Sequence, residues 1–159
     1  MDLSFDALID PQAVCLRVEA ETSEQIIAQL AGILERTGYV APSYGPAVLA
    51  REAELPTGLP LSHDFAVAVP HTDAHHVLKP GIAIATLAQP VPFRSMEDPD
   101  EILPVRIVFA LALNDKNAQI AMLQSVATLF QTPDLLLNMA DAVSVTEVLE
   151  ILRGIERRA

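Results

Sequence analysis

Apolar residues recur in this chain at two spacings, one that suits strands and one that suits helices, and the two alternate along its length. Val14 to Val18 is a short run that predicts a first strand. Thr22 then opens a helix: Gln25, three residues on, completes a capping box, Ile26, Leu30, Ile33 and Leu34 share one face, and Gly38 is the stop. A shorter helix is predicted from about Gly45 to Glu52, with Val48 and Leu49 turned inward. Pro56, Gly58 and Pro60 break regular structure. Phe65–Val69 and Gly81–Ala88 are short apolar runs of the kind buried on both faces of a sheet, and Pro90 and Pro92 bracket an edge or turn. Val105–Leu113 is the clearest strand, interrupted only by Arg106. Helices follow. Asn117–Phe130 carries Ile120, Leu123, Val126 and Phe130 on a stripe, and Pro133–Asp141 has Thr132 as its cap and Pro133 at its first position. Val145 to about Arg157 begins with a second capping box, Ser144 with Glu147. Strands alternating with helices predict an α/β fold, a single domain over 1–159 with a mixed β-sheet flanked by helices on both faces.

Composition narrows what such a domain can do. Ten Lys and Arg against 21 Asp and Glu leave a net charge of −11, which repels a phosphate backbone and argues against a nucleic-acid partner. Aromatic residues are only 4%, with no Trp, so base stacking has no platform and the core is aliphatic. The longest apolar run, Ile107–Leu113, is far short of the roughly 20 residues of a membrane span, so no direct membrane insertion is expected. Met1-Asp2-Leu3-Ser4 lacks the basic and apolar regions of a signal peptide, and the single Cys15 fits a reducing compartment. The expectation is a cytoplasmic protein. Cys15 lies mid-strand and reads as a structural thiol.

The polar chemistry is concentrated between Arg51 and His76. All 4 histidines, His63, His71, His75 and His76, fall in the last part of that stretch. His71 follows an apolar strand and Pro70, and reactive residues of open α/β sheets sit just beyond strand carboxyl ends. An imidazole with its ordinary pKa of about 6.5 is largely unprotonated at neutral pH and can act as a nucleophile. The competing reading is a strand-end histidine bonded to backbone. His71 and His75 also have the i, i+4 spacing of helix-borne zinc ligands, with Asp73 and His76 nearby, but the Glu of a His-Glu-x-x-His motif is missing. His75 and His76 read as a solvated loop or helix start, and His63 as a turn residue. Arg51 can pair with phosphate oxygens or simply with a surface acid. Serine-hydrolase and nucleotide-loop signatures are absent.

Arg51-Glu52-x-x-x-Pro56-Thr57-Gly58, followed by Ala66-Val67-Ala68-Val69-Pro70-His71, resembles the signature of the fructose/mannitol-type (type-2) IIA components of the bacterial sugar phosphotransferase system. The likeness extends over essentially the whole chain. It implies the fold of that family and a phosphocarrier function. The histidine matching His71 takes a phosphoryl group from the carrier protein HPr and passes it to a cysteine of a IIB component, which phosphorylates sugar entering through a membrane IIC component. Arg51 matches the family's arginine beside that histidine. Arginine and backbone N–H groups suffice to stabilise the transferred group, so no cofactor or metal is implied. Fructose, mannitol and nitrogen-regulatory members carry a second histidine where this chain has Gln119, whose amide can donate to a phosphoryl oxygen but cannot titrate; the galactitol-specific branch is similar to this chain in having Gln there, and its Arg-Glu segment resembles Arg51–Gly58 closely. The resemblance therefore implies a IIA protein for galactitol or another polyol, and with no IIB-type cysteine in a phosphate-cradling loop and no membrane span the expectation is a stand-alone one. The alternative is a nitrogen-type regulatory protein that acts by phosphorylation-dependent binding, and a zinc hydrolase is a third.

Overall fold

The computed structural model describes residues 5–62 and 64–158. The element order is α1 (Phe5–Leu8), β1 (Ile9–Val18), α2 (Ser23–Arg36), α3 (Tyr44–Glu54), β2 (Gly58–Ser62), β3 (Phe65–Ala68), a 3₁₀ turn at Ala74–His76, β4 (Gly81–Arg94), β5 (Ile102–Ala112), α4 (Lys116–Leu129), α5 (Pro133–Ala140) and α6 (Val145–Arg158). The strands form one mixed sheet in the order β1-β4-β5-β3-β2. β1 is parallel to β4 and β3 to β5, whereas β4–β5 and β2–β3 are antiparallel. The expected α/β architecture with a mixed sheet between helices is present.

The apolar runs alternate large and small side chains, and the alternation sorts them between two layers. Val67, Val69, Ile82, Ile84, Ile107, Phe109 and Leu111 pack with residues of α4, α5 and α6. Ala66, Ala68, Ala83, Ala85, Ala110 and Ala112 face the other way, among residues of α2 and α3. Successive strand residues point to opposite faces, so β3, the start of β4 (82–85) and the end of β5 (109–112) present bulky residues to one layer and alanines to the other. The alanine face lets α2, with Ile26, Leu30 and Leu34 buried, come close to the sheet.

Several local expectations hold and several are corrected. The Thr22–Gln25 capping box is complete, and Gly38 takes a φ of 87°, the left-handed conformation of a helix stop. Pro56 lies outside regular structure, but Gly58 and Pro60 do not interrupt it: they belong to β2, an edge strand. There Pro60, without an N–H, is tolerated because the outer side of the strand is bonded only at Gly58, which bridges to Ser95 and accepts from Met96 N–H. β4 likewise runs through Pro90 and Pro92 to Arg94; its pairing with β5 shifts register between Thr86 and Val91 and resumes with Pro92 opposite Pro104. On α4 the buried stripe is Ala118, Met122, Val126 and Leu129, and Ile120 is 49% exposed. Thr132 makes no side-chain cap; its hydroxyl donates to the Leu129 carbonyl instead. At α6 the Ser144 hydroxyl accepts from the Glu147 N–H, while the Glu147 carboxylate reaches back to the N–H of Val143 rather than Ser144. Cys15 is half-buried in β1, and burial pushes its thiol pKa up, away from reactivity. No single helix among the described residues is long and apolar enough to cross a membrane.

Candidate functional site

Register brings four chain segments to one end of the sheet. β3 and β5 are parallel, so their carboxyl ends share an edge. Their antiparallel neighbours begin at that same edge, with Gly58 opposite Ala68 and Gly81 opposite Ala112. The residues just before β2, just after β3, just before β4 and just after β5 therefore converge, and they include Thr57, His71 and Gln119. Gly58 is required by proximity: a Cβ there would lie 2.6 Å from the Arg94 carbonyl oxygen.

Backbone pairing continues past the end of β3. Val69 N–H donates to the Thr57 carbonyl at 3.3 Å, and Leu111 N–H donates to the Pro70 carbonyl at 3.0 Å. These bonds hold the Val69–Pro70 segment, and His71 follows. The His71 side chain is half-buried, and its Nδ1 lies 2.8 Å from the Val69 carbonyl oxygen. A carbonyl only accepts, so Nδ1 carries the proton and Nε2 carries the free lone pair. Burial lowers the pKa of His71 below its usual 6.5; the bond to Val69 opposes the shift, nearby Arg51 adds to it, and Asp73 opposes it. The ring is thus a neutral imidazole at pH 7, with its lone pair on Nε2. The bond to backbone expected of a strand-end histidine is present, and it leaves Nε2 as the nitrogen with the lone pair.

Arg51, in the last turn of α3, pairs with Asp73 at 3.3 Å, two residues beyond His71. Of the two readings of this arginine, pairing with an acid is the one present, and that acid belongs to the His71 loop. Side-chain exposures of 36% and 67% leave the pair open to water, so it contributes little to stability, and Arg51 is free to exchange Asp73 for another anion.

Gln119 sits in the first turn of α4, whose N-cap is the Asp115 side chain. Its Nε2 donates to the carbonyl of Thr72, the residue after His71, at 2.8 Å and to that of Leu113 at 3.3 Å. Both amide hydrogens are thus engaged by backbone, and Gln119 ties the His71 loop to the end of β5.

The remaining histidines behave differently. His75 is exposed and its ring centroid lies 3.9 Å from that of His76, the planes tilted by 39°, while His76 Nδ1 meets the Ser43 hydroxyl at 2.8 Å. His71 precedes the 3₁₀ turn that holds His75, so the i, i+4 spacing does not form a helical face. No group of three or more His, Cys, Asp or Glu suited to a metal ion occurs among the described residues. His63 lies outside the described residues.

Sequence reasoning missed Glu52 and Thr57 as individual contributors, although both stand in the quoted motif. Thr57, only 3% exposed, donates from its N–H to Glu52 Oε2 at 2.9 Å and from its hydroxyl to Glu52 Oε1 at 2.8 Å. Burial pushes the Glu52 carboxyl pKa up, and these two bonds pull against that shift. Tyr44 was missed as well: it is buried at the start of α3 and donates to the Leu111 carbonyl at 2.8 Å, fixing that helix to the end of β5.

Comparison with known proteins agrees with this geometry. Residues 7–154 match the family described as phosphoenolpyruvate-dependent sugar phosphotransferase system, EIIA 2. The galactitol-specific EIIA component of Escherichia coli (strain K12) is 28% identical over 111 residues, 70% of this chain and 73% of that protein. The complex of enzyme IIAMTL and phosphorylated enzyme IIBMTL from Escherichia coli contains a similar fold, with TM-score 0.75 and 31% identity over 92% of this chain and 99% of that chain. The nitrogen regulatory protein IIA-Ntr from Neisseria meningitidis also has TM-score 0.75, at 21% identity over 92% of this chain and 97% of that one, a likeness of fold alone. A match over nearly the whole chain, joined to a shared fold and to the Arg-Glu, Thr-Gly and Pro-His elements gathered at one sheet end, means that this chain belongs to the type-2 EIIA family of the phosphoenolpyruvate-dependent sugar phosphotransferase system.

Proposed function

We propose that the protein is a phosphocarrier whose His71 accepts a phosphoryl group from HPr and passes it to a IIB component serving uptake of galactitol or another polyol through a IIC component. The observation that carries this reading is the 2.8 Å bond from His71 Nδ1 to the Val69 carbonyl, which leaves Nε2 as the lone-pair nitrogen. In the transfer, the Nε2 lone pair attacks phosphorus and the phosphorus–nitrogen bond of phospho-HPr breaks, its electron pair returning to the donor imidazole. In the second step a IIB thiolate attacks, and Nε2 recovers its electron pair. Nδ1–H remains bonded to Val69 throughout, which steadies the positive charge that a phosphorylated ring carries. Arg51 turns from Asp73 toward the phosphoryl oxygens, supplying charge without a metal. A carrier working between HPr and IIB acts in the cytoplasm, where the single Cys15 is kept reduced. Similarity to the galactitol-specific component supports a polyol.

Incubation with enzyme I, HPr and phosphoenolpyruvate is expected to give one acid-labile phosphohistidine, at His71. His71→Ala abolishes it, whereas His75→Ala and His76→Ala retain it. Label persisting on His71→Ala overturns the assignment.

A further inference from the structure

We propose that Glu52 and Thr57 are positioning residues for His71: together they fix the Val69 backbone, and through it the tautomer that leaves Nε2 nucleophilic. This inference rests on His71 being the phosphoryl acceptor. The chain of bonds is continuous and each link has a defined direction. A carboxylate only accepts, so the Thr57 hydroxyl donates to Glu52 Oε1 and turns its lone pairs away. Those lone pairs accept the Val69 N–H at 3.2 Å, alongside the Thr57 carbonyl at 3.3 Å. The Val69 carbonyl in turn accepts from His71 Nδ1 at 2.8 Å.

Val69 is therefore held on both of its backbone groups. The carbonyl of the next residue, Pro70, is taken by Leu111 N–H at 3.0 Å. With the segment fixed from both sides, the Val69 carbonyl points at one ring nitrogen only. The Thr57 hydroxyl is set by Glu52 alone; if it reversed, its proton would face the Val69 N–H. Glu52 thus acts on His71 across three hydrogen bonds without touching the imidazole. The same logic explains why Glu52 and Thr57 stand five residues apart in the motif: one lies in the last turn of α3 and the other precedes β2, and the carboxylate closes the turn between them.

The test uses ¹⁵N-histidine-labelled full chain and single-turnover transfer from phospho-HPr. Wild-type His71 is expected to show a protonated Nδ1 and a lone-pair Nε2; the opposite tautomer overturns the clamp. Thr57→Val, which keeps the shape and removes the hydroxyl, is expected to mix the tautomers and slow transfer by about 5- to 10-fold, one hydrogen bond's worth. Thr57→Ser restores both readouts. Glu52→Gln turns an amide N–H toward Thr57 and is expected to shift the His71 signals in the same sense. A purely structural role lowers stability yet leaves the tautomer unchanged, so wild-type His71 signals in folded Thr57→Val or in Glu52→Gln overturn the proposal. Should Thr57→Val not fold, Glu52→Gln and the wild-type spectrum decide. Wild-type protein that takes no label from phospho-HPr overturns the phosphocarrier reading instead, and the tautomer still judges the clamp.

Discussion

Replacing Gln119 by alanine removes two donors at once. The Thr72 carbonyl loses a bond of 2.8 Å and the Leu113 carbonyl one of 3.3 Å, in a place where Thr72 is 5% exposed. Leaving a buried acceptor unmet costs about 1–3 kcal/mol. The longer bond adds little, and Gln119 is itself half-buried, so water refills part of the space. The net expectation is a loss of about 1–2 kcal/mol, which for a domain of this size lowers Tm by about 2–8 °C. Gln119→Glu is more damaging than alanine, because it sets a carboxylate oxygen against two carbonyl oxygens. Urea unfolding followed by circular dichroism, with m checked for constancy, measures both. The same loosening of the His71 loop is expected to slow transfer by roughly tenfold, equivalent to one hydrogen bond. A Gln119→Ala protein with an unchanged midpoint, or a Gln119→Glu protein as stable as it, would refute the anchoring role.

Arg51→Ala is expected to slow phosphoryl transfer by roughly 10- to 150-fold, the effect of one charge-assisted hydrogen bond, while unfolding moves little because the Arg51–Asp73 pair is solvated. An unaltered transfer rate would show Arg51 to be a surface residue only. Burial lowers the His71 pKa below 6.5, so the acid limb of the transfer rate falls below that pH; a limb centred above 6.5 contradicts it. Stability carries the same sign. The unfolded chain binds the proton first, so the stabilisation linked to His71 is full above pH 6.5 and declines as pH falls below it, a decline that His71→Ala removes.

What could be read from the sequence followed the range of the interactions. The Thr22–Gln25 box and the Gly38 stop are local and were legible. The apolar runs marked β3, β4 and β5 because burial on both sheet faces demands them. β2 and the far half of β4 were not legible, since Gly58, Pro60, Pro90 and Pro92 are breakers by type and only their place at an edge or beside a register shift makes them strand residues. The α4 stripe was rotated because Ala118 is small and Ile120 large, yet it is Ala118 that faces the sheet. His71, Arg51 and Gln119 stood out through clustering or resemblance. Asp73 as the partner of Arg51, and Glu52 as the holder of Thr57, depend on how segments meet in space.

The two borders of the sheet have a further consequence. β1 is one border, and it carries Pro11, two register shifts and Arg17 at a φ of 51°, its N–H drawn to the Thr86 hydroxyl at 2.8 Å. β2 is the other; it is five residues long, with Pro60 within it and a register shift before Ser62. Neither border offers the long regular ladder of free N–H and C=O groups that templates strand addition. A protein with an alanine-rich, aliphatic sheet at its centre is in this way guarded against fibre-like self-association. Its encounters with other molecules are left to side chains and loops, which can form contacts and release them quickly.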